Sequence, residues 1–179
     1  MKEAIKIAIS GRSGCGNTTI CKMLADTLNL QFINFTFRSL AKEKNMDFNK
    51  VLELASKDDS WDREIDTRQI QIARECSGCV LGSRLAIWLL KEADLKIYLN
   101  AEPETRAERI AKREGGDIRE VAVFTAERDK QDHERYLRIY GIDTDDHSFV
   151  DLTIDTDNIT PQQIIDIIIE KVKNIQNDK

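Results

Sequence analysis

The sequence predicts an α/β domain built on a five-stranded parallel sheet with helices on both faces. Three observations point there. Short β-rich apolar runs alternate with longer helical patterns along the whole chain. The first of these runs ends in a glycine-studded turn that leads straight into a helical pattern. The 179 residues, with only two prolines and eight glycines, leave room for one domain and no low-complexity linker.

Ala4 to Ile9 is the first strand, ended by Ser10-Gly11, and a helix follows from Thr18 to about Asn29. Leu30 to Phe35 reads as the second strand. Residues 36–76 are mostly helical in pattern, broken near Met46-Asp47-Phe48 and Lys57-Asp58-Asp59-Ser60, with Asp47 and Ser60 as N-caps. Cys79 to Gly82 is a buried-strand candidate, Arg84 to Lys91 looks helical, and Leu95 to Leu99 is the next strand. Pro103 suits a helix start, Gly115-Gly116 a stop, and a long polar helix runs from about Ile118 to Tyr140 before Gly141. Val150 to Ile154 completes the strands. From Pro161 a final helix places Ile164, Ile165, Ile168 and Val172 on one side. In such sheets ligands bind at the carboxyl ends of the strands, which directs attention to the residues just after them.

A third of the residues are charged and the formal net charge is −5, which argues against non-specific nucleic-acid binding. No apolar run reaches membrane-spanning length, and the start lacks signal-peptide features, so the expected compartment is the cytoplasm. Cys76-Ser77-Gly78-Cys79 has C-x-x-C spacing, but Cys15 and Cys21 do not form the second close pair that zinc wants. The thiols read as buried or incidental. His133 and His147 have no triad-like neighbours and read as surface residues; Trp61 and Trp88 read as packing residues.

Gly11-Arg12-Ser13-Gly14-Cys15-Gly16-Asn17-Thr18-Thr19 follows the first strand and opens the first helix. It matches the phosphate-loop pattern G-x-x-x-x-G-K-[ST] except that Asn17 stands where lysine belongs. Glycines let successive N–H groups point at phosphate oxygens, and the helix start adds its positive end. Thr18 is placed to ligate Mg²⁺. The fold class is therefore a P-loop NTPase three-layer α/β/α arrangement. Losing the lysine removes a point charge from the transferring group, worth on the order of 3 kcal/mol or about 10²-fold in rate. Arg12, or Arg109 or Arg113 further along the chain, is the expected substitute.

Joining two phosphorylated molecules requires several cations from different elements. The candidates are Arg38, Arg84, Arg109, Arg113, Arg128 and Arg135, of which Arg128 and Arg135 are seven apart and share a helix face.

The order and spacing of several segments together resemble the cytidylate kinases of the short, archaeal-type branch, over nearly the whole chain. They are the loop at 11–19; Phe37-Arg38 with Ala41; Asp62-Arg63-Glu64-Ile65-Asp66 with Gln69; Leu81 to Ala86; Arg106 to Glu114; Glu127-Arg128-Asp129; Tyr140 to Asp143; and Asp151-Leu152 leading to Ile154-Asp155-Thr156. The resemblance implies one nucleoside monophosphate kinase domain over 1–179. In it, about 36–76 form an acceptor-binding helical insert and about 104–140 a short lid with its following helix. It implies ATP with Mg²⁺ as donor, CMP or dCMP as acceptor, and no nucleic-acid or membrane partner. Arg38 and Arg84 would hold the acceptor, Arg128 and Arg135 bridge acceptor phosphate and transferred group, and Asp132 bond the acceptor ribose or base. Asp62 and Asp66 fall at acceptor-side positions, where pairing with surface cations is equally open to them. Arg109 and Arg113 match the lid over ATP, with Arg109 also in the catalytic set. Asn17 departs from the family pattern and opens two alternatives: a nucleotide-binding protein with weak or no catalysis, or a kinase of another small acceptor.

Overall fold

The computed structural model describes residues 5–177. Five strands, β1 (Lys6–Gly11), β2 (Gln31–Ile33), β3 (Cys79–Gly82), β4 (Leu95–Asn100) and β5 (Leu152–Asp155), form one parallel sheet in the order β2-β3-β1-β4-β5. Every neighbouring pair is parallel, with Ala8 beside Leu81 and Lys96, and Asn100 beside Asp155. β1 sits at the centre, so the loop that leaves its carboxyl end lies over the middle of the sheet.

The helices are α1 (Asn17–Leu28), α2 (Phe37–Glu43), α3 (Phe48–Ala55), α4 (Ser60–Glu75), α5 (Ala86–Leu89), α6 (Pro103–Glu114), α7 (Ile118–Tyr140) and α8 (Pro161–Asn177). On one face, α1 and α8 bury Ile20, Leu24, Ile164, Ile165 and Ile168 against Ile7, Ile9, Ile97 and Leu99. On the other, Ala8, Leu81 and Tyr98 pack with Ile70 and Ala73 of α4 and with Ala86 and Ile87 of α5. Strand residues buried on both faces read as continuous apolar runs, as parallel strands should. Among the described residues no helix is long and apolar enough to cross a membrane.

Several boundaries differ from expectation. Ala4 lies outside the described residues; β1 runs on to Gly11 because its pairing with β4 continues to Leu99. Strand β2 covers only Gln31–Ile33, the stretch that β3 can pair. The segment Arg84–Lys91 is helical only over Ala86–Leu89. Leu85, Ala86, Ile87 and Leu90 are all buried, so this run is apolar all round and its periodicity carries little information. Asp47 caps α3 as expected, accepting from the amides of Asn49 and Lys50. Ser60 instead is the first residue of α4, its amide donating to Asp58 Oδ1 at 2.8 Å. The last strand starts at Leu152 rather than Val150. Gly141 ends α7 at φ 67, and its lack of a side chain is what allows that turn.

Helix α6 is pinned through Arg106, which is 4% exposed. Its Nη1 donates to Asp129 Oδ2 on α7 at 2.7 Å and to the Ser13 carbonyl at 3.2 Å. Removing one partner of a buried ion pair strands the other charge. Arg106→Ala should therefore cost about 3–5 kcal/mol. At roughly 2–4 °C per kcal/mol for a chain of this size, the melting midpoint falls by about 6–20 °C. The double variant Arg106→Leu/Asp129→Leu should recover most of that loss. Calorimetry of the three proteins checks it, and a single variant melting within 2 °C of wild type would contradict the assignment.

Candidate functional site

The residues following β1, β2 and β3 meet the inner side of α4 and α7 around one cleft of about 540 Å³. Its floor is the glycine loop. Gly14 (φ 86) and Gly16 (φ 93) take the left-handed backbone that glycine tolerates. A Cβ on Gly14 would lie 2.8 Å from the Arg106 carbonyl oxygen, whereas one on Gly16 would meet nothing within 4 Å and would project into open space. Gly16 caps α1 with no side-chain hydrogen bond, and first-turn helix amides lack intrahelical partners. That is an anion site in the making.

The loop's carbonyls are turned the other way. Arg106 takes that of Ser13, Arg109 Nη1 that of Gly14 at 3.4 Å, and Thr156 Oγ1 that of Cys15 at 3.2 Å. Arg109 is further committed to Thr156, with Nη1 to Oγ1 at 2.9 Å and Nη2 to the carbonyl at 2.6 Å. It does not line the cleft. Instead of the place expected for it over ATP, its Nη1 and Nη2 lie behind the loop, committed to the Gly14 carbonyl and to Thr156. Cys15 is likewise buried beneath the loop, its thiol raised by burial to about 11 and hence neutral. The four cysteines are free thiols.

Asn17 lines the cleft, but its amide is turned inward. Its Nδ2 donates to the Ile9 carbonyl at 3.4 Å, and its Oδ1 accepts from Cys21 Sγ at 2.9 Å. The cleft's cations come from elsewhere. Arg84 Nη2 donates to Ser13 Oγ at 2.5 Å and Arg84 Nη1 pairs with Asp132. Arg135 Nη2 donates to the other Asp132 oxygen at 2.9 Å, and its Nε lies 3.6 Å from Asp62. Ser13, Arg84, Asp132, Arg135 and Asp62 therefore form one chain of contacts from the phosphate loop to α4. Burial pushes the Arg84 guanidinium down, with Arg128 and Arg135 adding repulsion against the pull of Tyr136 and Asp129. Arg128 lines the cleft, is exposed, and makes no hydrogen bond or ion pair among the described residues. Arg113 also lines it, beside Glu114.

Arg12 lines the cleft but is paired outward with Asp145. Arg38 is not brought to the cleft. Its guanidinium covers the Phe48 ring at 4.1 Å, a cation–π contact that holds it on the outer side of α2. Thr18 and Thr19, exposed in the first turn of α1, do line the cleft. The Thr18 hydroxyl has no protein partner among the described residues, and a hard oxygen donor at a phosphate loop suits Mg²⁺.

At the far end, Asp62, Ile65, Asp66 and Gln69 form one stripe of α4 along the cleft. Burial raises Asp62 and lifts Asp66 to about 6, partly offset by the Tyr140 hydroxyl, which donates to Asp66 Oδ2 at 2.6 Å. The histidines differ from expectation, being half-buried. His133 bonds Thr144 at 3.0 Å, and His147 stacks on Tyr98 with ring centres 3.9 Å apart. Trp88 packs edge-on against Tyr98 and Phe149. Sequence pattern alone marks no role for Arg106, Thr156 or Tyr140, although each falls in a segment that resembles the cytidylate kinases. An arginine two positions after Glu104 in a polar helix carries no mark of burial.

Residues 6–158 match the model of the cytidylate kinase-like family. A cytidylate kinase 2 of Borreliella afzelii is 46% identical over 97% of this chain and 100% of its own length. A cytidylate kinase of Pyrococcus abyssi is 41% identical over 93% of each. Among solved structures, shikimate kinase from Bacteroides thetaiotaomicron superposes with TM-score 0.64 at 17% identity, over 94% of this chain and 98% of that one. Deoxyadenosine kinase from M. mycoides with bound dATP gives 0.59 at 16%, over 94% and 100%. At such identities these two establish the P-loop kinase fold alone. The chain belongs to the cytidylate kinase-like family and is a nucleotide kinase.

A buried carboxylate whose folded value is raised contributes stability below its unfolded value near 3.8 that is lost as pH rises through about 6. Asp66→Asn keeps a hydrogen-bond acceptor for Tyr140 and removes the charge. It should raise stability at pH 7.5 by about 1–3 kcal/mol and flatten the decline between pH 4 and 6. Urea melts across that range check both; a variant less stable than wild type at pH 7.5 would refute the assignment.

Proposed function

We propose that this member of the cytidylate kinase-like family transfers the γ-phosphoryl group of ATP directly to CMP or dCMP, giving the diphosphate and ADP. The observation that carries this is the single cleft in which a phosphate loop and Arg84, Arg128 and Arg135 meet a polar stripe on α4. Residues about 36–76 are assigned the acceptor end and about 104–140 the lid and its following helix. Soluble nucleotide pools place the reaction in the cytoplasm.

An oxygen of the acceptor's phosphate forms the new bond to the γ-phosphorus while the bond to the β–γ bridging oxygen breaks. The nucleophile is already an anion, so no general base and no covalent intermediate are needed. Catalysis is positioning and charge. The first-turn amides of α1 receive the donor's phosphates. Arg84, fixed between Ser13 and Asp132, and the unpaired Arg128 face the group in transfer; Arg135 orients the acceptor phosphate. Thr18 would hold the Mg²⁺ that accompanies ATP, which would supply further neutralisation of the polyphosphate. With Asn17 turned inward, the charge of the missing lysine is supplied by Arg84 and Arg113.

A coupled assay with ATP·Mg²⁺ and a panel of nucleoside monophosphates tests the reading. CMP should have the highest kcat/KM, and absence of turnover with every monophosphate would refute it. Arg128→Ala and Arg135→Ala should each lower kcat by about 10²–10³-fold with the fold intact, the range of one transition-state contact. Near-normal kcat in both would return the pair to the solvated surface.

Asn17→Lys should change kcat by less than about 10-fold, since its site is already served, whereas Arg84→Ala should cost about 10²–10³-fold. A silent wild type rescued by Asn17→Lys would instead show a nucleotide-binding protein on a kinase frame.

A further inference from the structure

Among the buried polar atoms of cleft-lining residues that have no hydrogen-bond partner among the described residues, Gln69 Oε1 is the one on the α4 stripe. Gln69 lines the cleft, is 1% exposed, and its Oε1 has no hydrogen-bond partner among the described residues. Buried acceptors are rarely left this way, because the desolvation of the group is not repaid.

The orientation of that amide is fixed by its neighbours. Gln69 Nε2 donates to Asp66 Oδ1 at 2.9 Å, and the Tyr140 hydroxyl donates to Asp66 Oδ2 at 2.6 Å. A carboxylate offers lone pairs only, so it must face the NH₂ side of the glutamine. The carbonyl is thereby turned away from Asp66. The amide cannot flip without setting two acceptors against each other.

A fixed, dry acceptor distinguishes the two pyrimidines. Cytosine carries an amino group at C4, a donor; uracil carries a carbonyl there, an acceptor. The first satisfies Oε1, and the second leaves two lone pairs facing each other. Sites built to bond a substrate N–H reject analogues lacking it far more strongly than apolar pockets reject a methylene.

We propose that Gln69, oriented by Tyr140 through Asp66, accepts a hydrogen bond from the exocyclic amino group of cytosine and so sets the preference for CMP over UMP, a role that presupposes the pyrimidine monophosphate acceptor proposed above. Gln69 is the specificity-determining contact, and Asp66 and Tyr140 are positioning residues.

The test measures binding of CMP and UMP by calorimetry and kcat/KM for both, in wild type, Gln69→Leu and Asp66→Asn, with melting curves alongside. Wild type should favour CMP by at least about 10²-fold. Gln69→Leu should lower CMP binding and kcat/KM by about 10–100-fold and leave UMP little changed, collapsing the ratio. Asp66→Asn is the second arm. Its Oδ1 takes the Tyr140 proton and its Nδ2 donates to Gln69, which turns the glutamine NH₂ toward the base and moves the preference toward UMP. If wild type prefers CMP and that preference survives both substitutions, the inference is overturned and the kinase reading stands. Loss of folding in Gln69→Leu leaves the Asp66→Asn ratio to decide. A wild type that binds neither nucleotide overturns both.

Discussion

The constraint on which the rest depends is that a phosphate loop must present its amides to one side and its carbonyls to the other. Peptide carbonyls left facing a bound phosphate would repel it. Here three consecutive carbonyls are each taken by a side chain from outside the loop: Ser13 by Arg106, Gly14 by Arg109 and Cys15 by Thr156. All three belong to the stretch of chain that begins on α6 and ends after β5. The loop is thus shaped by the second half of the sequence. Gly14 is glycine because Arg106 presses against it, and Gly16 because the space beyond it must remain open. The buried Arg106–Asp129 pair then ties this bracing to α7, the helix that carries Arg128, Asp132 and Arg135.

The same logic governs the cations of the cleft. Arginines converging without a ligand repel one another, and the repulsion registers at Arg84. The protein answers by threading carboxylates between them. Asp132 holds Arg84 with one oxygen and Arg135 with the other, and Asp62 stands behind Arg135. Guanidinium geometry is fixed in advance, so less entropy is lost when phosphate arrives. Asn17 fits this arrangement. A lysine there would add one more positive charge to a cluster that reaches the loop already through Arg84 and Ser13. The uncharged amide instead ties α1 to the sheet through the Ile9 carbonyl and bonds Cys21 one turn along its own helix.

The fold was legible because its signals are local. Alternating strand and helix patterns, the glycine loop, Pro103, Pro161 and Gly141 each mark a feature that a few adjacent residues determine. The site was legible in part. The loop, Arg84, Arg113, Arg128, Arg135, Asp62, Asp66 and Asp132 share one cleft. Arg109 and Arg38 do not, and the reason is physical: an arginine's partners are chosen in three dimensions. Thr156, which follows β5, and the aromatic ring of Phe48 captured those two guanidiniums. The α5 segment was over-read because a fully buried apolar stretch has no period to read.

Helix α4 shows why polar interior surface escapes sequence patterning. Asp62, Ile65, Asp66 and Gln69 lie at helical spacing on the side that faces the cleft, while Ile70 and Ala73 pack into the core. Read as hydrophobicity, the stripe looks like ordinary exposed surface. Its energetics say otherwise, since burial raises both carboxylates and their charged forms are held at a cost. Selection for stability alone would replace such groups with neutral ones. Asp66 spends one oxygen on Tyr140 and the other on Gln69, so a proton from each side converges on one carboxylate. That arrangement does nothing for the core that a leucine would not do better. What only a carboxylate supplies is direction: it fixes which end of the glutamine amide faces Asp66 and which is left without a partner.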